Sequence, residues 1–188
     1  MSDVQPRDRA SATADGDAIS VLLVDDDADF VALASTLLQA ESDRIETTTE
    51  TRPTDALNQV DLDTVDCIVS DYRMPEMNGI EFLETIREAR PELPFILFTG
   101  KGDEEVAKQA ISADVSDYIV KDGSAEQYAI SATRIENLVD QCHTRKRSHR
   151  RQQIDTLRQR ALETVLTGPT PEAIEGAACD CLVDGDLY

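Results

Sequence analysis

The residue types needed to move a phosphoryl group are spread along this chain between Asp25 and Lys121. Asp25, Asp26 and Asp27 stand in a row, Asp71 adds a further carboxylate, Thr99 a hydroxyl and Lys121 an ammonium. Carboxylates gathered without a counter-charge repel one another. A hard divalent cation relieves that repulsion, and Mg²⁺ is satisfied by one or two carboxylates plus phosphate oxygens and waters. A carboxylate in such a site can attack phosphorus. The transferring group then needs positive charge and hydrogen-bond donors on its oxygens, which a metal ion, a lysine and a hydroxyl supply.

These residues matter only if the chain brings them together, and the hydrophobic pattern says how. Ile19 to Val24 is an unbroken apolar run that stops at the three aspartates, as expected of a strand buried on both faces of a parallel sheet. Asp27 is suited to cap the helix that follows, whose apolar face is Phe30, Val31, Leu33, Ala34, Leu37 and Leu38. The alternation repeats through a strand at Arg44 to Thr49, a helix at Pro53 to Val60, and a strand at Cys67 to Ser70. A helical stripe at Ile80, Phe82, Leu83 and Ile86 comes next, then a strand at Pro94 to Phe98 and a helix at Glu104 to Ala113. Tyr118 to Val120 is the last strand, and a helix starts near Ala125. Strands alternating with helices predict an α/β fold built on a parallel sheet. In such sheets ligands bind beyond the carboxyl ends of the strands. Asp25 to Asp27, Asp71, Thr99 and Lys121 each follow or end a strand.

Other chemistries fit less well. Asp25-x-Asp27-x-Asp29 imitates a calcium loop, but Phe30 and Thr36 stand where that loop needs glycine and glutamate. A haloacid-dehalogenase-like phosphatase would use Asp25 and Asp27 as nucleophile and acid. It also needs a further acidic motif after the lysine, and it leaves Asp71 without a role. With 38 acidic against 18 basic residues, a net charge of −20, the surface repels nucleic acid over most of its area, so DNA binding is not expected. No apolar run approaches the ~20 residues of a membrane helix. The four cysteines are scattered, with no pattern for a zinc site. They predict thiols in a reducing cytoplasm.

The motifs Val-Leu-Leu-Val-Asp25-Asp26-Asp27, Val-Ser-Asp71-Tyr-Arg-Met-Pro75-Glu-Met-Asn-Gly79, Ile-Leu-Phe-Thr99-Gly and Asp-Tyr118-Ile-Val-Lys121 resemble, in order and spacing, the receiver domains of two-component response regulators. The resemblance runs from about Ile19 to Asp140 and implies a doubly wound five-stranded parallel sheet in the order 2-1-3-4-5. It implies that Asp71 accepts a phosphoryl group from a sensor histidine kinase, as an acceptor rather than a turnover enzyme. It further implies that Asp26, Asp71 and the backbone carbonyl of Arg73 ligate Mg²⁺, with Asp25 holding it through water. Thr99 and Lys121 would contact the phosphoryl oxygens, and Tyr118 would swing inward when Thr99 moves. This sequence departs from the family in having Asp122 where proline usually follows the lysine. The acidic, lysine-poor composition resembles that of salt-loving archaea, so a haloarchaeal receiver is expected.

The flanks are read separately. Residues 1–18 have no hydrophobic period and are expected to be disordered. The receiver is placed at 19–140. Neither proline nor glycine occurs from Gln127 to Val165, which predicts one long helix, or two joined near Ser148, with 141–166 as a linker. The basic run Arg145 to Arg151 reads as a solvated helical surface. Ile154, Leu157, Leu162 and Val165 form a partial seam that predicts a weak homodimer. Residues 167–188 are expected to be a helical tail or a fragment of a further module, and residues 156–188 loosely resemble the start of a GAF-type sensory module. The alternative expectation is a receiver segment of a larger sensor kinase or transcription regulator, shortened here.

Overall fold

A computed structural model describes residues 18–100 and 104–167. The first and last segments read above lie wholly or largely outside the described residues. The chain divides into two units between Asp140 and Gln141.

The first unit contains a five-stranded parallel sheet in the order β2-β1-β3-β4-β5. Its strands are β1 (Ile19–Val24), β2 (Ile45–Glu50), β3 (Cys67–Asp71), β4 (Phe95–Thr99) and β5 (Asp117–Val120). The helices are α1 (Ala28–Glu41), α2 (Pro53–Gln59), α3 (Gly79–Ala89), α4 (Glu104–Ser112) and α5 (Ala125–Thr167), with a 3-10 turn at Leu62–Thr64. The doubly wound sheet expected from the sequence is therefore present.

Side chains alternate across a strand, and here consecutive residues feed opposite cores. Val21 and Leu23 of β1, Cys67 and Val69 of β3, and Ile96 and Phe98 of β4 pack with α1 and α5 through Val31, Ala34, Leu38, Ala132 and Ile135. Leu22 and Val24, Ile68, and Phe95 and Leu97 pack on the other face with α2, α3 and α4 through Ala56, Phe82, Leu83, Ile86 and Ala110. This two-sided burial is why the central strands read as unbroken apolar runs. The edge strand β2, Ile-Glu-Thr-Thr-Thr-Glu, is only partly buried, in keeping with its polar sequence.

Helix starts follow their caps. Asp27 Oδ1 accepts from the N–H groups of Asp29 and Phe30 at 3.1 Å each, the capping role its sequence position suggests. At α3, Asn78 and Glu81 form a reciprocal capping box. α5 is one continuous helix through Ser148, the first of the two expectations. The residues around Ser148 are arginines, lysine and glutamines, good helix formers that outweigh one serine.

Gly79 opens α3 and donates its N–H to the Tyr72 carbonyl at 2.9 Å, closing the loop that follows β3. A Cβ at this position would lie 2.4 Å from the backbone oxygen of Asp71 and 2.8 Å from Leu97 Cδ1. Only glycine lets the helix start this close to the end of β3. Gly79→Ala should therefore destabilise the protein by about 1–3 kcal/mol through overpacking. Urea unfolding monitored by circular dichroism checks this, and an unchanged midpoint would mean that the loop gives way without cost.

Candidate functional site

Strand parity decides which side chains can meet. Val24 pairs with Ser70 across β1 and β3, so Asp25 and Asp71 leave the sheet side by side. Both follow the parity of Leu23 and Val69, on the α1 and α5 face. Lys121 follows β5 with the parity of Ile119, on the same face. Adjacent strands lie about 4.8 Å apart, so only a long side chain from β5 can pass β4 and reach β3 and β1. Lys121 does so: its Nζ donates to Asp25 Oδ2 at 2.5 Å and to Asp71 Oδ1 at 2.6 Å.

The surroundings of this ammonium are apolar on one side. It lies 4.3 Å from the centroid of the Phe30 ring and 5.8 Å from that of Phe98. Aromatic faces attract cations by their quadrupole. A cavity of about 20 Å³ lies against Asp25 and Asp71, lined by Phe30, Val31, Phe98 and Tyr128 among others. Asp25 is 5% exposed, Asp71 9% and Thr99 1%.

The remaining oxygens of the two carboxylates are held by backbone. Asp25 Oδ1 accepts from the Asp27 N–H at 3.0 Å, and Asp71 Oδ2 accepts from the Arg73 N–H at 2.7 Å. Arg73 thus meets Asp71 through its amide, while its side chain is exposed. Asp26 is exposed and lies outside this ion-pair network. Thr99 ends β4, and by alternation it falls on the opposite face, with Leu97. Tyr118 is half-buried on that same face, against the core built by α2, α3 and α4. So the structure gathers Asp25, Asp71 and Lys121 into contact, while strand alternation turns Thr99 and Tyr118 toward the other face of the sheet.

The loop after Lys121 contains no cis peptide bond. Gln127 Oε1 accepts from the N–H groups of Asp122 and Gly123 at 2.7 and 3.1 Å. Two features of the site were not read from the sequence: Phe30 under the ammonium and Gln127 on the loop. Phe30 had shown only as part of a helical face. Gln127 carried a signal in Ser124-x-x-Gln127, a capping-box spacing, although its side chain binds the loop rather than the cap residue.

Electrostatics set two protonation states. Burial pushes the Asp25 carboxyl above its ordinary 3.8, and the bonds from Lys121 and the Asp27 amide only partly oppose it. For Lys121, burial is the largest single effect and disfavours the ammonium. The two carboxylates together outweigh it and raise the group above its ordinary 10.5. The folded protein therefore binds the Lys121 proton more tightly than the unfolded chain does. The stability this contributes is present below pH 10.5 and is lost as pH rises through the raised value. Tyr128, raised above 10.0 mainly by burial, acts with the same sign. Lys121→Met should lose about 1–3 kcal/mol at neutral pH in the absence of metal, because Asp25 Oδ2 and Asp71 Oδ1 then face each other without the ammonium that both accept from. It should also lose less stability than the wild type above pH 10.5, since only Tyr128 of the two groups then titrates. Urea unfolding at both pH values measures this, and equal alkaline losses would show that the pairing does not raise Lys121.

Comparison with known proteins points the same way as the geometry. The family described as response regulator receiver domain matches residues 21–132. Among curated proteins, the C4-dicarboxylate transport transcriptional regulatory protein DctD of Rhizobium meliloti is 35% identical over 119 residues, covering 63% of this chain and 25% of that protein. The response regulator SaeR of Staphylococcus aureus is 29% identical over 137 residues, covering 73% of this chain and 56% of SaeR. The chain thus spans between a quarter and about half of these relatives. Among solved structures, the receiver domain of NtrX from Brucella abortus is 28% identical with a TM-score of 0.56, covering 62% of this chain and 98% of that one. A response regulator receiver domain protein from Clostridium thermocellum has a TM-score of 0.59 at 23% identity, covering 65% of this chain and 95% of that one, which speaks to the fold alone. With a matching family over well more than half its length, the fold of that family and its carboxylates and lysine joined at the strand ends, this chain belongs to the response regulator receiver domains of two-component signalling.

Proposed function

We propose that Asp71 is the phospho-acceptor of this receiver and takes its phosphoryl group from a sensor histidine kinase in a Mg²⁺-dependent phosphorelay. The observation that carries this reading is the ammonium of Lys121 shared between Asp25 and Asp71 at the carboxyl ends of the strands. It marks the point where positive charge is needed whenever two carboxylates, or a carboxylate and a phosphoryl group, are present.

Among the described residues no three His, Cys, Asp or Glu side chains form a ready metal cluster. The donors present nevertheless suit Mg²⁺, which needs only one or two carboxylates and keeps several waters. Asp25 and Asp71 present hard oxygen donors around a point that already attracts a cation, and Asp26 is exposed beside them. Asp26, Asp71 and the Arg73 carbonyl would hold the ion directly and Asp25 through water. When bound, Mg²⁺ supplies charge stabilisation for the phosphoryl oxygens.

The chain's own residues do the rest. One carboxylate oxygen of Asp71 attacks phosphorus. The new O–P bond forms as the P–N bond to the donor imidazole breaks, and the electron pair leaves with the imidazole. The Arg73 amide on Oδ2 orients the carboxylate. Lys121, already on Oδ1, turns toward the incoming oxygens, and the Thr99 hydroxyl approaches them from the other face of the sheet. Because Tyr118 shares that face with Thr99, a shift of Thr99 opens space into which the ring swings. The domain acts as an acceptor and does not turn over substrate. Residues 19–140 form the receiver and 141–166 a linker helix. A phosphorelay acceptor of this kind works in the cytoplasm; no helix of the described residues is long and apolar enough to cross a membrane.

Incubation with acetyl phosphate and Mg²⁺ should add one phosphoryl group labile to hydroxylamine, and Asp71→Asn should abolish it. Mass spectrometry of the intact chain reads the result, and continued labelling of the variant would move the acceptor elsewhere.

The exposed Ile154 and Leu162 on α5, 39% and 61% exposed, support a weak homodimer through this helix. The basic run Arg145 to Arg151 would bring like charges together in a parallel pair. The dimer should therefore strengthen with salt as the Debye length shrinks from ~30 Å toward ~3 Å. In a haloarchaeal receiver of net charge −20, the melting temperature should rise over the same range. Sedimentation of the full chain beside a version ending at Asp140 checks the first point and calorimetry the second. Two monomers at high salt would remove the dimer, and a salt-independent melting temperature would remove the haloarchaeal reading.

A further inference from the structure

Lys121 works only if its side chain is aimed across β4, and the backbone on either side of its Cα sets that aim. On the preceding side, the Lys121 N–H donates to the Thr99 carbonyl at 2.7 Å, which fixes the peptide plane before the residue. On the following side, the Asp122 N–H belongs to the same planar unit as the Lys121 carbonyl. That N–H donates to Gln127 Oε1 at 2.7 Å, and the Gly123 N–H joins it at 3.1 Å. Both peptide planes flanking Lys121 are thereby held, one by the sheet and one by a side chain of α5.

Gln127 is itself immobilised. It is 5% exposed, its N–H donates to Ser124 Oγ at 3.2 Å and its carbonyl accepts from Ser131 Oγ at 2.8 Å. Asp122 Oδ1 meanwhile accepts from the Ser124 N–H and hydroxyl at 2.8 and 2.7 Å. Gly123 sits at φ +76°, in the left-handed region that glycine enters without strain. The loop is a closed hydrogen-bonded unit, made entirely of trans peptides, with the Gln127 oxygen at its centre.

We infer that Gln127 is a positioning residue for Lys121, clamping the peptide that follows it so that the ammonium reaches Asp71. The inference rests on the proposed role of Lys121 at the phospho-acceptor. It goes beyond that role by assigning the aim of the lysine to an amide on α5 that touches no reacting atom.

The test uses the full chain with acetyl phosphate and Mg²⁺, together with hydrogen exchange of the Asp122 and Gly123 amides followed by NMR. In Gln127→Leu both amides should lose protection, and phosphorylation of Asp71 should slow between about ten- and a hundredfold, the cost of a misaimed group. Gln127→Glu keeps an accepting oxygen at the same reach and should retain both properties. Gln127→Asn falls one methylene short, should behave as Gln127→Leu, and carries the test should the leucine variant fail to fold. In a Lys121→Met background Gln127→Leu should cause no further slowing, because the two residues act on one step, whereas a merely structural role would add its own loss. Opened amides with a wild-type rate, protected amides in Gln127→Leu and Gln127→Asn alike, or additive losses would each overturn the inference alone. A wild-type rate in Lys121→Met would overturn the role of the lysine, and the inference with it.

Discussion

One ammonium shared by two buried carboxylates is the interaction on which the rest of the site depends. Burial works against the charges of Asp25 and Lys121. It raises Asp25 above the ordinary carboxylate range and, acting alone, would lower Lys121. The two hydrogen bonds at 2.5 and 2.6 Å reverse the second effect and limit the first. A buried pair of this kind is costly to break by removing one partner, because the remaining charge is left without compensation. The ammonium therefore holds Asp25 and Asp71 together at the strand ends.

The architecture serves that contact by parity and register. Asp25 and Asp71 leave neighbouring strands at the same level, and Lys121 arrives from two strands beyond Asp71. All three lie on the face covered by α1 and α5, while Thr99 and Tyr118 belong to the face covered by α2, α3 and α4. A group bound between Lys121 and Thr99 would be sensed on both faces at once. Gly79 contributes by absence: without a Cβ, α3 can start against the backbone of the residue it helps to position.

Much of this was legible in the sequence. Unbroken apolar runs marked the strands because both faces of the sheet are buried. Asp27 was legible as a cap because the three-residue reach from side chain to backbone is local. The carboxylates, hydroxyl and lysine stood out because each ends a strand, and in a doubly wound sheet all strand ends meet at one edge. The lack of proline and glycine allowed a helix as long as α5, while its continuity through Ser148 came from the structure.

What required the folded chain was every relation between residues distant in sequence. Parity along one strand can be counted from its residues, but which residue of β1 stands level with which of β3 is set by packing across the whole sheet. The pairing of Val24 with Ser70 put Asp25 beside Asp71 rather than one residue out of step. Phe30 looked like any other residue of an apolar helical face, and its place under the Lys121 ammonium comes from how α1 lies on the sheet. Gln127 carried a capping spacing that predicts a bond to its own helix start, yet its oxygen went to the Asp122 and Gly123 amides. Local composition determined the elements and the chemistry available at their ends. The tertiary structure decided which of those groups share a charge, because hydrogen bonds and desolvation act over distances of a few ångströms that only the completed sheet brings about.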